Sequence, residues 1–181
     1  MSKFTKFTKD DEALLESYAN STTVKGTTIF YLNAILSTVA PVYLFVGINQ
    51  IEITEQWIPI SLAAGISLYA LAFATKNFKH VLKHKIVLKR ADAVAREVNK
   101  KYGDDKKMSK KEKDERIIFH RNEVAEEESQ YLAIFITNVL YTAVLFILAF
   151  FFLSNLSPVF TTVISIAGAA GAVAFVSTSK Q

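Results

Sequence analysis

The sequence predicts an all-α membrane protein with four transmembrane helices and a charged helical hairpin between the second and the third. Three observations carry that prediction. The chain is 51% hydrophobic, a value a soluble protein could reach, but its apolar residues are gathered into four charge-free runs. Each run is about as long as a helix needs to be to cross a bilayer. The charge is gathered instead into one segment, residues 76–130, which holds 16 of the 21 Lys and Arg and all three His. The two other links between the runs, 49–56 and 154–158, contain no Lys or Arg.

Residues 1–26 are polar, with Lys3, Lys6, Lys9 and Lys25 set against Asp10, Asp11, Glu12 and Glu16. No apolar core closely follows the first lysines, so this is not the pattern of a cleavable signal peptide. Thr8 followed by Lys-Asp-Asp-Glu reads as a helix start, with acids opposing the macrodipole in the first turn. Leu14, Leu15 and Tyr18 give it an apolar face, which predicts a short amphipathic helix.

The first span is 29–48. Its polar residues are Asn33, Ser37 and Thr38, which a bilayer tolerates when they face other helices, and Pro41 is expected to kink it. The second span, 57–75, opens on Trp57 at the interfacial level and carries the small residues Ser61, Ala63, Ala64 and Gly65. The third, 131–153, has Asn138 as its one strongly polar side chain. A five-residue turn leads to the fourth span, 159–176. There Ala167 and Gly171 stand four apart, as do Gly168 and Ala172. That spacing lines one face with small residues and predicts close helix packing, within the chain or against a partner.

Charge orients the chain. All 21 basic residues fall in the N-terminal tail, the central segment or the C-terminal tail, which share one side if there are four spans. The positive-inside rule then places both termini and 76–130 in the cytosol.

Within 76–130, Phe78, Val81, Leu82, Leu88, Ala91, Ala95, Val98 and Tyr102 recur mostly at steps of three or four, the period of an amphipathic helix. Nothing breaks this pattern before Gly103, so the helix is expected to continue the second span directly. Gly103-Asp104-Asp105 reads as a stop and turn, and Ser109-Lys110-Lys111-Glu112 as a capping box opening a second helix towards the third span. From 76 to 90 there are six basic residues and no acids; from 123 to 128 there are four acids and no base. Folding the hairpin lets these two roots offset each other. The tip, 100–113, has seven lysines against three acids, so the excess positive charge lies away from the membrane.

That charge admits three uses: a solvated face that sets topology, attraction to anionic lipid headgroups, or contact with a polyanion such as RNA. Lipid suits the root; the tip of an upright hairpin stands beyond the reach of surface attraction. Phosphate contact suits the tip, with little base readout because few aromatics are interleaved. His80 and His84 are one helical turn apart, but Val-Leu-Lys separates them and no third ligand is evident. The spans hold no ionisable Asp, Glu, Lys, Arg or His to mark a proton or ion path. The residues therefore point to no catalytic group, cofactor or metal site. A small transporter or channel, or an anionic-lipid-binding protein, stays as the alternative class.

Four stretches of the central segment carry a resemblance. They are Val81-Leu82-Lys83-His84-Lys85, Lys89-Arg90-Ala91-Asp92-Ala93-Val94, the run from Met108 through Ser109-Lys110-Lys111-Glu112-Lys113-Asp114-Glu115-Arg116 to Ile117, and Asn122-Glu123-Val124-Ala125. Together they closely resemble the gamma subunits of the translocon-associated protein complex, also called signal sequence receptor gamma. The resemblance extends over essentially the whole chain. It implies a non-catalytic subunit of the endoplasmic reticulum membrane, with alpha, beta and delta subunits as partners, beside the protein-conducting channel. It also implies a cytosolic contact to the translating ribosome, through ribosomal RNA and protein, with membrane lipids around the spans. The matching part of this chain is the hairpin. The residues expected to make the contact are Lys100, Lys101, Lys106, Lys107, Lys110, Lys111, Lys113 and Arg116.

Overall fold

A computed structural model describes residues 24–102 and 110–179. The amphipathic helix expected near Thr8, the turn at Gly103 and the cap at Ser109 lie outside the described residues. Helix α1 is Val24–Asn49, α2 is Ile53–Tyr102, α3 is Lys110–Ile147, and α4 is Pro158–Thr178. A π-helical turn, Leu148–Phe152, extends α3. All four helices are long and apolar enough to cross a membrane, with candidate spans at Thr27–Asn49, Ile53–Val87, Ile117–Phe152 and Pro158–Thr178.

Helix ends follow from local chemistry. Helix α1 runs through Pro41 and stops where Gln50 adopts a left-handed backbone, φ 49°. The Ile51 N–H then donates to the Val46 carbonyl at 3.2 Å and the Ile51 side chain is buried, which closes the end as a Schellman motif. At the start of α2, Gln56 departs from helical geometry (φ −111°, ψ 19°), so the regular helix begins at Trp57 as the sequence predicts. Pro59 sits in its first turn, where no intrahelical donor is needed. At the other end of the pair, the π turn closes with the Leu153 N–H donating to the Leu148 carbonyl at 2.9 Å. The Thr161 hydroxyl donates back to the Leu153 carbonyl at 2.8 Å. The turn to α4 has the expected five residues but lies one position earlier, at 153–157: Pro158 already belongs to the helix, because its fixed φ suits the first helical position.

Helix α2 is the central member and packs against the other three. The inward face of α3 is built at a step of four: Arg121, Ala125, Ser129, Ala133, Thr137, Tyr141, Leu145 and Ala149 are all buried. Across from it α2 buries Ala63, Ser67, Leu71, Ala74, Thr75 and Phe78, and α4 contributes Ser165, Ile166, Ala169, Ala170 and Val173. Small side chains at these positions let the backbones come close, which is how helices gain dispersion energy in lipid, where no hydrophobic drive brings them together.

Several polar residues inside the spans bond one another, as hydrocarbon surroundings favour, whereas the buried Ser165 hydroxyl of α4 has no hydrogen-bond partner among the described residues. Asn33 of α1 and Asn138 of α3 exchange amide hydrogen bonds at 3.0 and 2.9 Å. Ser37 donates to the same Asn138 oxygen at 2.9 Å. Thr38 and Ser67 are 3.4 Å apart, Ser67 donates to the Tyr141 hydroxyl at 3.4 Å, and Thr75 donates to Thr137 at 3.3 Å. These bonds matter most for α1, whose apolar window is only 22% buried against 39% for α2. It reaches the core through Phe30, Ala34, Thr38 and Phe45, so polar pairs rather than area hold its register.

Candidate functional site

The candidate site is the hairpin that α2 and α3 form beyond the bundle. Its root starts where the Asn77 side-chain amide donates to the Ser177 hydroxyl at 3.3 Å, level with the end of α4. Two and six residues further on, α2 turns lysines inward. Lys79 and Lys83 are buried, 5% and 4% exposed, and both ammonium groups reach Glu126 of α3. Each carboxylate oxygen takes one of them, with Lys83 at 2.6 Å and Lys79 on the other oxygen. Lys79 also stands 5.5 Å from the centre of the Phe30 ring, which brings α1 into the cluster through a cation–π contact. Burial alone would raise the Glu126 pKa. The hydrogen bonds and charges of Lys79 and Lys83 outweigh it and hold the carboxyl below its ordinary range.

Above this cluster Ile86, Val87 and Ala125 form a small apolar plug with Leu82. Arg90 pairs with Glu128 at 2.9 Å, but its side chain is 54% exposed, so this pair adds little stability. The two oppositely charged roots therefore do offset each other, through Lys79, Lys83 and Arg90 on one leg and Glu126 and Glu128 on the other. Sequence reasoning treated 76–90 as one basic surface and missed that Lys79 and Lys83 are buried. The signal was present: both continue the inward steps of Thr75, Phe78, Leu82 and Ile86.

Beyond the root α2 continues as helix to Tyr102, and α3 is helical from Lys110. Lys100 and Lys101 thus lie in the last described turn of α2. Lys110, Lys111, Lys113 and Arg116 lie in the first turns of α3. The antiparallel legs bring both groups to the end of the hairpin remote from the bundle. Lys106 and Lys107 lie outside the described residues. His80 and His84 are exposed, and among the described residues no group of three His, Cys, Asp or Glu could hold a metal ion.

On α4, Gly168 and Gly171 are exposed and Ala167 and Ala172 half-buried. A side chain at Gly171 would meet nothing within 4 Å, and one at Gly168 only the Leu148 side chain at 3.5 Å. The chain packs the adjacent face, Ala169, Ala170 and Val173, and leaves the Gly168–Gly171 edge to its surroundings.

The whole arrangement has relatives. Residues 10–179 match the family model of the translocon-associated protein gamma subunit (TRAP-gamma). Translocon-associated protein subunit gamma from Dictyostelium discoideum is 24% identical over 171 residues, covering 94% of this chain and 97% of the relative. With a family match over nearly its full length, the chain belongs to the translocon-associated protein gamma-subunit family.

Proposed function

We propose that this chain is the non-catalytic gamma subunit of the translocon-associated complex of the endoplasmic reticulum membrane. It works beside the protein-conducting channel with alpha, beta and delta subunits. In this reading residues 1–26, 76–130 and 177–181 are cytosolic, the spans lie within 27–75 and 131–176, and the hairpin docks on the translating ribosome to assist co-translational translocation. The observation that carries the reading is the continuity of α2. It leaves the apolar layer as unbroken helix, and Tyr102 stands roughly 39 Å beyond Lys76 at about 1.5 Å per residue. Three of the six basic residues at the root, Lys79, Lys83 and Arg90, are paired with Glu126 and Glu128, while the lysine-rich tip is carried to where a ribosome stands. Lys100, Lys101, Lys106, Lys107, Lys110, Lys111, Lys113 and Arg116 would meet ribosomal RNA phosphate and protein there. Family membership supports the complex, and the absence of basic residues from 49–56 and 154–158 supports the orientation.

A photo-crosslinker at Lys111, in microsomes carrying translating ribosomes, tests the placement. Adducts to ribosomal RNA or protein are expected. Adducts confined to lipid or to lumenal proteins would refute the docking role.

A further inference from the structure

One exposed ridge of α2 changes chemistry as it leaves the membrane. Leu62, Ile66, Tyr69 and Phe73 follow one another at steps of three or four and are 66%, 50%, 70% and 41% exposed. The same ridge continues with Lys76, His80 and His84, all exposed. An apolar strip therefore runs without a break into a polar one that carries Lys76 and two histidines.

Four markers put the edge of the apolar layer at that change. The Asn77–Ser177 bond ties α2 to the last turn of α4. The apolar run of α1 opens near Phe30, whose ring lies against Lys79. The apolar run of α3 opens at Tyr131, an exposed aromatic at the level where such rings anchor. The candidate span of α3, 36 residues or about 54 Å of helix, exceeds a hydrocarbon layer of about 30 Å, so its polar end must project beyond it. Measured from Lys76, His80 is then about 6 Å higher and His84 about 12 Å higher. Headgroups occupy roughly 5–7 Å on each side of the hydrocarbon, so Lys76 and His80 sit at phosphate depth.

The neighbouring leg supplies a contrast. On α3 the exposed residues just beyond Tyr131 are Glu123 and Glu127, acids where α2 has Lys76 and His80. Among the described residues Lys76 forms no ion pair, and Glu126 and Glu128 pair with Lys79, Lys83 and Arg90. Lys85 and Lys89 are exposed but stand higher on α2, above the phosphate layer.

We infer that this ridge holds an anionic phospholipid, with an acyl chain along Ile66, Tyr69 and Phe73 and its phosphate on Lys76 and His80. Lys76 supplies the charge and His80 a ring N–H donor. The inference does not depend on ribosome docking.

The test uses the full-length chain in nanodiscs of equal phosphatidylserine and phosphatidylcholine, with the lipids that stay bound after extraction quantified by native mass spectrometry. Bound phosphatidylserine is expected to exceed phosphatidylcholine by about fivefold, the effect of one basic side chain at an anionic surface. Lys76→Gln with His80→Gln should return the ratio to one, while Lys76→Arg with native His80 should keep it. Both positions are exposed, and an unchanged elution volume and helical signal verify folding. Equal binding of the two lipids by the native chain, or undiminished selectivity in the double variant, would overturn the inference.

Discussion

Glu126 decides the stability of the hairpin root. Two buried ammonium groups converge on its carboxylate. Breaking a buried pair from one side costs about 3–5 kcal/mol because the remaining charge loses its counter-ion. Glu126→Ala is therefore expected to destabilise the chain by at least about 3 kcal/mol, read as a lower unfolding midpoint and faster proteolysis of the hairpin legs. Glu128→Ala, which breaks only the exposed Arg90 pair, should cost under about 1 kcal/mol. The pH dependence has a definite sign. The folded Glu126 pKa lies below the ordinary value of about 4.3, so its contribution is complete above that value. It fades as the pH falls through the lower folded value. Acid titration of the unfolding midpoint should show this loss in the native chain and not in Glu126→Gln.

The Asn33–Asn138 pair is the membrane counterpart. Asn138→Leu strips partners from both Asn33 and Ser37, and interhelical bonds of this kind average about 0.6 kcal/mol with a maximum near 1.7. A double-mutant cycle with Asn33→Leu should return a coupling in that range; a coupling of zero would mean α1 is held some other way. Asn33, Ser37, Thr38 and Asn138 were all legible in the sequence as polar intrusions that needed partners. Which partner each finds was not legible, because positions 33 and 138 are brought together by packing and not by local spacing.

Helix ends and small-residue faces belong to the scale of the element. Trp57 was readable as the start of the long helix, since an interfacial aromatic follows a polar link there. Gln50 was not, because the left-handed position that ends α1 is usually marked by glycine. Gln50→Gly should accordingly raise stability by up to about 1 kcal/mol, measured as an unfolding midpoint. Small residues on α4 drew attention because they are dense and regularly spaced. Their spacing says that a close approach is possible, but not which neighbour makes it. The tight face within this chain includes Ala125, Ser129 and Ala133 of α3, all at most 2% exposed. Ala133→Leu should disrupt the packing of α2 on α3. Gly171→Leu should leave the isolated chain folded, since nothing lies within 4 Å of its added side chain. If the edge of Ala167, Gly168, Gly171 and Ala172 serves a partner helix, the same variant will reduce co-purification of the other complex subunits.

At the scale of the whole molecule, two helices run from the membrane layer into the hairpin with no intervening linker. Helix α2 is 50 residues long, about 75 Å at 1.5 Å per residue. The inward face of α3 keeps its step of four from Arg121 to Ala149, so the same packing spans the boundary between bundle and hairpin. A contact made at the tip is thus mechanically continuous with the spans. The four spans, the hairpin and the offset of its roots were legible in charge and periodicity. The inward turn of Lys79 and Lys83 was hidden, because a lysine in a basic run reads as solvated until its helical phase is compared with the apolar residues around it.

The most direct test of the docking account is salt-dependent co-sedimentation of ribosomes with proteoliposomes containing the native chain or a variant with Lys106, Lys107, Lys110 and Lys111 all changed to Glu. Phosphate contacts release counter-ions, so native binding should fall steeply with salt, each lost contact removing about 0.7–0.9 from the log–log slope. The account predicts weaker binding and a shallower slope for the variant, with membrane insertion unchanged. Equal ribosome binding by the two proteins at low and moderate salt would contradict it.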